Sequence, residues 1–267
     1  MENNIPLAQK VEFKELEPNK GSFEIQPLYP GYGLTVGNTL RRVLLSSLGG
    51  GAIETVKIKG VEHEFSTLEW MKEDIVDVIL NLKQVRIKLS PEVMKQSEET
   101  GEPIKLNIEL KGAKDVTAKD FKKVAGVEVT NPDLKISTLT DAAANLEMEV
   151  TVGYGLGYSP TEERKDRDYE IGMMAIDAIY TPVKRVGYDI ENVRVGDMTN
   201  WDKLTLNLET DGTVNCEDAF KKAVEILADQ FGALLNPGQE EEVEEKEEEV
   251  KEEVEEKEEE TKEEVKE

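Results

Sequence analysis

The chain is poor in the residues from which most self-contained catalytic sites are built. Among its 267 residues there is one cysteine, Cys216, and one histidine, His63. A lone cysteine excludes a disulfide within the chain, and the pair falls short of the common His/Cys zinc clusters. A Ser-His-Asp triad would have to use His63, in Gly60-Val61-Glu62-His63-Glu64-Phe65. No nucleophile elbow lies near it, so it reads as a surface or packing histidine. Long apolar runs are missing as well: none approaches the ~18 residues that a membrane-spanning helix needs. The first residues have neither the basic start nor the apolar stretch of a signal peptide. With sparse cysteine suiting a reducing compartment, a cytoplasmic protein is the expectation. Dense basic runs are also lacking. The nearest, Arg164-Lys165-Asp166-Arg167, is interrupted by an acid. A firm nonspecific hold on DNA needs clustered Lys and Arg to displace counterions, so the chain is not expected to hold DNA by itself.

Negative charge is what the chain has in excess, with 58 acids against 33 bases and a formal charge of −25. Residues 240–267 carry 18 Glu and 5 Lys, a net of −13. The remainder, at −12, is acidic too. The tail repeats: residues 241–251 read EEVEEKEEEVK and 252–262 read EEVEEKEEETK. An 11-residue period is close to that of a straight helix, and Glu-to-Lys spacings of four give weak helical support. The apolar line through Val243, Val250 and Val254 is too thin to bury against a core. A solvated tail, partly helical or disordered, is the plain reading; a specific partner-binding helix is the alternative.

Upstream, apolar spacing alternates between two periods. Residues 5–16 and 22–28 read as strands. Tyr29-Pro30-Gly31-Tyr32-Gly33 is turn chemistry, after which Thr35 is placed to cap a helix to about Leu48, with Gly49-Gly50-Gly51 as its stop. Residues 53–58 alternate as a strand. Ser66 and Glu69 have capping-box spacing and predict a helix to about Leu82, whose core stripe is Ile75, Val78, Ile79 and Leu82. Residues 85–89, 104–110 and 146–152 alternate as strands. The glycine-rich run 153–158 does not open onto a helix, so it reads as a flexible or bulged strand end rather than a phosphate cradle. Residues 171–180 fit a buried strand or a short helix. Residues 183–195 and 203–209 are strand-like. Asn215 and Asp218 open a last helix with a stripe through Phe220, Ala223, Val224, Leu227, Phe231 and Leu234. Glu73, Asp74 and Asp77 lie on a helix whose other face is core and make no defensible metal site.

The helix over 36–48 is the most informative segment. Val36, Leu40, Val43, Leu44 and Ser47 form one stripe, suited to packing inward or against a second copy. Asn38, Arg42 and Leu45 stand on another face. A planar five-donor guanidinium beside an apolar residue and a neutral amide suits a desolvated contact. From spacing alone, an ordinary surface arginine with a partly exposed leucine is the simpler reading.

Resemblance decides between them. Residues 32–48, YGLTVGNTLRRVLLSSL, closely resemble the signature helix of the bacterial RNA polymerase alpha subunit family. So do Gly60-Val61-Glu62-His63-Glu64-Phe65-Ser66-Thr67, Glu73-Asp74-Ile75, Leu80-Asn81-Leu82-Lys83, residues 155–160, Asp177-Ala178-Ile179-Tyr180-Thr181-Pro182-Val183 and residues 199–213. The matches run in family order over about residues 5–235. The resemblance implies an α+β fold: a discontinuous dimerisation subdomain, 1–50 with 181–235, a sheet plus two main helices, and an inserted mostly-β subdomain, 51–180. The strand-rich middle of the chain agrees with it. It implies a homodimer interface through Leu40, Val43, Leu44, Phe220, Val224, Leu227 and Phe231. It implies contact with the beta subunit through Asn38, Arg41, Arg42 and Leu45, and with beta-prime around Lys83 and Ile176. Omega is a further expected partner, with sigma factor and DNA met through the holoenzyme, and no membrane. No catalytic residue, metal or cofactor is expected on this chain; the Mg²⁺ of the complex belongs to other subunits. The family normally carries a helical C-terminal DNA-binding domain. Here the acidic repeat, 236–267, follows instead, so upstream promoter binding through alpha is not expected. The alternative reading is a stand-alone acidic dimeric binding module on the same fold.

Overall fold

The computed structural model describes residues 5–100, 103–164 and 170–235, with the backbone alone for 96–100. The acidic repeat lies outside the described residues, as does most of the Arg164–Arg167 run. Fourteen strands and four helices are described, in an α+β arrangement.

One sheet has four strands: β1 (Lys10–Glu17), β2 (Lys20–Leu28), β13 (Val183–Val195) and β14 (Met198–Thr210). Its order is β1-β2-β14-β13, all antiparallel, so the beginning and the later part of the chain meet in one sheet. The alternation of Leu204, Leu206 and Leu208 places all three on the buried face, as period-two spacing requires. Helix α1 (Tyr32–Ser46) leaves β2 and packs on β13 and β14. Phe23 of β2 stacks on Phe220 at 4.2 Å and tilts against Phe13 at 4.9 Å.

The second sheet has six strands. Its path runs β5 (Ile104–Lys111), β9 (Asn145–Leu156), β3 (Gly49–Ile58), β4 (Ile87–Leu89), β7 (Val127–Val129), with β11 (Met173–Ala175) also on β3. Helix α2 (Ile75–Leu82) packs on β8 (Lys135–Leu139), which pairs antiparallel with β6 (Lys114–Thr117), and donates from Asn81 Nδ2 to the Ile136 carbonyl at 2.8 Å. A large core fills this region, from Ile53, Val56 and Ile75 through Leu82, Ile108 and Ile136 to Val150 and Ile176. Helix α3 (Pro91–Thr100) follows β4, and a short pair, β10 (Tyr158–Ser159) with β12 (Ala178–Ile179), completes the described strands. Residues 171–180 are therefore two short strands, not a helix.

Three local expectations are corrected. Helix α1 starts three residues before Thr35, and its N-cap is Gly31, at φ 87°. That left-handed backbone is cheap only for glycine. The capping acceptor comes from Asp202, 171 residues away from Gly31 in the chain. Helix α2 starts at Ile75, not after Ser66. The Ser66 hydroxyl donates to the His63 carbonyl at 2.6 Å, making a turn, while Asp74 caps α2 by accepting from the Asp77 amide at 2.8 Å. Gly49-Gly50-Gly51 opens β3 instead of merely stopping α1. Glycine is required there by close approach: a Cβ on Gly50 would collide with the Tyr180 carbonyl oxygen.

Helix α4 (Cys216–Leu235) has the expected span, but its stripe divides. Cys216, Ala219 and Ala223 are buried and Phe220 is half-buried. From Val224 onward the helix belongs to a second compact unit. There Val224, Phe231, Leu234 and Leu235 are exposed, Phe231 at 58%.

Candidate functional site

The two faces of α1 have opposite characters. Toward the sheet lie Gly33, Gly37, Leu40 and Leu44, the last fully buried. Leu40 and Leu44 thus fill the chain's own layer, and Val43 is half-buried. Away from the sheet, Asn38, Arg41, Arg42 and Leu45 are all exposed. Leu34, 59% exposed, extends this face by one turn, since 34, 38, 41, 42 and 45 fall at i, i+4, i+7, i+8 and i+11. The Arg41 and Arg42 guanidinium groups make no hydrogen bond or ion pair with the described side chains. Two unpaired guanidinium groups between two exposed leucines offer ten N–H donors and an apolar frame to an incoming surface. Tyr29 and Tyr32 add exposed aromatic surface at the helix start, with Tyr29 edge-on to both Tyr32 and Trp201 at 5.9 Å. Sequence reasoning read Tyr29 as turn chemistry, placed Tyr32 at the start of the resembling segment without giving it a contact, and did not single out Leu34, although its helical spacing from Asn38 and Leu45 was a visible signal.

The second locus is at the end of α2. Lys83 caps that helix and pairs with Asp177 at 2.8 Å, while the Thr161 amide donates to the other Asp177 oxygen at 2.9 Å. The hydrogen bond from Lys83 and that from the Thr161 backbone hold the Asp177 carboxyl down at about 2. Lys83 is half-buried, whereas Ile176 is 1% exposed and belongs to the core. Lys83 and Asp177 are thus the part-exposed side chains at this locus, and the Ile176 side chain is not exposed there. Behind it, the buried Arg164 guanidinium donates to the Ser159 and Ile176 carbonyls and stands 3.9 Å from Glu54, which accepts from the Tyr180 hydroxyl at 2.5 Å. These bonds tie residues 159–164 and 176–180 to β3.

Of the third predicted group, Phe220 and Leu227 are half-buried and Val224 and Phe231 exposed. His63 is exposed, and its carbonyl accepts from the Ser66 amide. Burial raises the Cys216 thiol pKa, and its sulfur approaches the Leu208 carbonyl at 3.8 Å. Among the described residues, no three His, Cys, Asp or Glu side chains converge as a metal site, and no helix is long and apolar enough to cross a membrane.

Comparison with known proteins places this geometry in a family. Residues 56–181 match the model of the RNA polymerase Rpb3/RpoA insert domain. The DNA-directed RNA polymerase subunit alpha of Oceanobacillus iheyensis is 44% identical over 248 residues, 91% of this chain and 76% of the relative. The chain belongs to the bacterial RNA polymerase alpha subunit family. The alpha subunit of Flavobacterium psychrophilum is 44% identical over 229 residues, 85% of this chain and 67% of its own length. That of Chloroherpeton thalassium is 42% identical over 251 residues, 92% and 74%. The alpha-family insert match covers β4 through β12 and the last three residues of β3, and leaves the four-stranded sheet, α1 and α4 outside it.

Proposed function

We propose that this alpha-family chain is the assembly platform of a DNA-directed RNA polymerase. Two copies pair, and the pair gathers the beta and beta-prime subunits, with omega joining them, to make RNA on a DNA template. Nucleotide chemistry and its Mg²⁺ reside on the large subunits. Sigma factor and promoter DNA are met through the holoenzyme.

The observation that carries this reading is the outer face of α1, where exposed Arg41 and Arg42, unpaired among the described residues, stand beside Leu45 on a helix whose other side is firmly seated. Such a face suits a desolvated contact in which arginines meet carboxylates or carbonyls; it is the proposed beta-subunit contact, with Asn38. The Lys83–Asp177 pair is the proposed beta-prime locus. The exposed Val224, Phe231 and half-buried Leu227 on α4 are the proposed grip on the sister chain, an apolar stripe of the kind that homodimers cover. The two-part organisation, 1–50 with 181–235 around an insert at 51–180, is supported by the four-stranded sheet, which draws its strands from both flanks.

A tagged chain expressed with the large polymerase subunits tests the reading. The expected result is that they are recovered with it, and that the chain purified alone is dimeric and incorporates no nucleotide. Nucleotide incorporation by the isolated dimer, or failure to recover any large subunit, would overturn it; the second outcome favours a stand-alone acidic module.

A further inference from the structure

We infer that Asp202 is a positioning residue for the partner face of α1: from β14 it holds the helix's first turn and so sets where Asn38, Arg41, Arg42 and Leu45 stand. The inference rests on the proposed beta-subunit contact and adds to it the device that aligns the contact.

A helix start leaves amide donors without partners inside the helix, and α1 has no side-chain cap of its own. Two of the donors at its start are met from the sheet. Asp202 Oδ2 accepts from the Gly31 amide at 2.9 Å and from the Gly33 amide at 3.0 Å. Asp202 is 7% exposed and sits within β14, opposite Leu28 of β2 and Asn192 of β13. A cap supplied by a neighbouring residue moves with its helix. A cap supplied by a strand fixes the helix end relative to the sheet. The carboxylate also lies at the positive end of the helix dipole, where negative charge is favoured.

Two glycines complete the seat. A Cβ on Gly33 would stand 3.0 Å from Asp202 Oδ2 and 3.1 Å from Ile190 Cγ2. One turn later, a Cβ on Gly37 would stand 2.9 Å from Leu204 Cδ1 and 3.1 Å from the Tyr188 ring. With no side chains there, the α1 backbone settles directly on β13 and β14. Asp202 sets the helix along its axis, and the glycine pair sets its height above the sheet. The arginines on the far side inherit both settings, and a bidentate guanidinium contact is sensitive to displacements of this size.

The test uses the full chain with Asp202→Ala, Asp202→Asn, Gly37→Ala and Arg42→Ala, read by capture of the beta subunit, by sedimentation and by amide exchange over residues 31–34. Asp202→Ala is expected to speed exchange there and to weaken capture roughly tenfold, the loss of a buried cap passed on to the face it aligns, while the chain stays dimeric. Asp202→Asn, which keeps one acceptor oxygen, is expected to recover most of the capture. Gly37→Ala is expected to weaken capture with the cap intact, and it decides the matter if Asp202→Ala fails to fold. Full capture by both Asp202→Ala and Gly37→Ala, with Arg42→Ala impaired, overturns the positioning role and leaves the contact face standing. Full capture by Arg42→Ala overturns the contact reading itself.

Discussion

The six-stranded sheet and the four-stranded sheet solve burial differently. The first closes over its own core: α2, the β6–β8 pair and the strands meet in one cluster in which Val56, Ile75, Leu82, Ile87, Ile108, Ile136 and Val150 are almost wholly out of water. The second is covered in part. Leu204, Leu206, Phe23 and Ile25 are buried, yet Leu7, Val11, Leu16, Ile190 and Met198 around and along its strands remain exposed. The later turns of α4, a separate compact unit, expose Phe231, Leu234 and Leu235 as well. A region that buries its own apolar surface is stable alone; one that leaves it open gains stability when another chain covers it. The contrast is one of core: the region of the six-stranded sheet holds a large closed cluster, although Phe65, Trp70 and Ile171 stay exposed on it, while the flanking segments carry the apolar surface proposed for assembly.

The largest expected effect sharpens the closed half. Ile108→Ala leaves a cavity in the six-stranded core and is expected to cost about 2–5 kcal/mol, measured by urea unfolding. Phe231→Asp addresses the open half. It is expected to leave the unfolding of the monomer nearly unchanged and to weaken the dimer by about 2 kcal/mol or more, roughly thirtyfold, as read by sedimentation equilibrium. A monomer destabilised as much as by Ile108→Ala would break the comparison, because Phe231 would then be core.

A smaller effect belongs to the Lys83–Asp177 pair. The Asp177 carboxyl is held below its ordinary 3.8, at about 2. A depressed folded-state pKa adds stability above the unfolded value, lost as pH falls through the folded one. Asp177→Asn is therefore expected to cost about 1 kcal/mol at neutral pH, after allowance for solvent screening of a partly exposed group. The gap from the unsubstituted chain should narrow as pH falls from 3.8 toward 2. A gap independent of pH would show that the pair contributes through shape alone. The smallest effect is expected from ending the chain after Pro237: capture of the large subunits should match that of the full chain, as measured by the same pull-down, and loss of capture would assign the acidic repeat a part in assembly.

Legibility in the sequence followed the range of the interactions. Strands whose signal is alternation, such as 104–110, 146–152 and 203–209, lie within strands of the structure. The α2 stripe of Ile75, Val78, Ile79 and Leu82 is buried as its spacing implies. What local pattern misplaced was set from afar. The start of α1 moved because Asp202 supplies the acceptor across the sheet. Gly49-Gly50-Gly51 looked like a helix stop, although its glycines answer to Tyr154, Tyr180 and Ile87 packed against them. The inward stripe of α1 did not say which surface covers Leu40 and Leu44; in the chain itself they are buried on a helix that packs on β13 and β14. Ile176, named by resemblance as part of a contact, proved to be a core residue beside the polar pair that stands at the surface.

The most direct test of the central claim is Arg42→Ala in the full chain, with oligomeric state and beta-subunit capture measured on one preparation. The expected result is an intact dimer of unchanged stability that captures the beta subunit at least about tenfold less well, as the loss of an interface arginine predicts. A variant that falls apart into monomers, or one that captures the beta subunit as the unsubstituted chain does, would contradict the assignment of the outer α1 face to the polymerase.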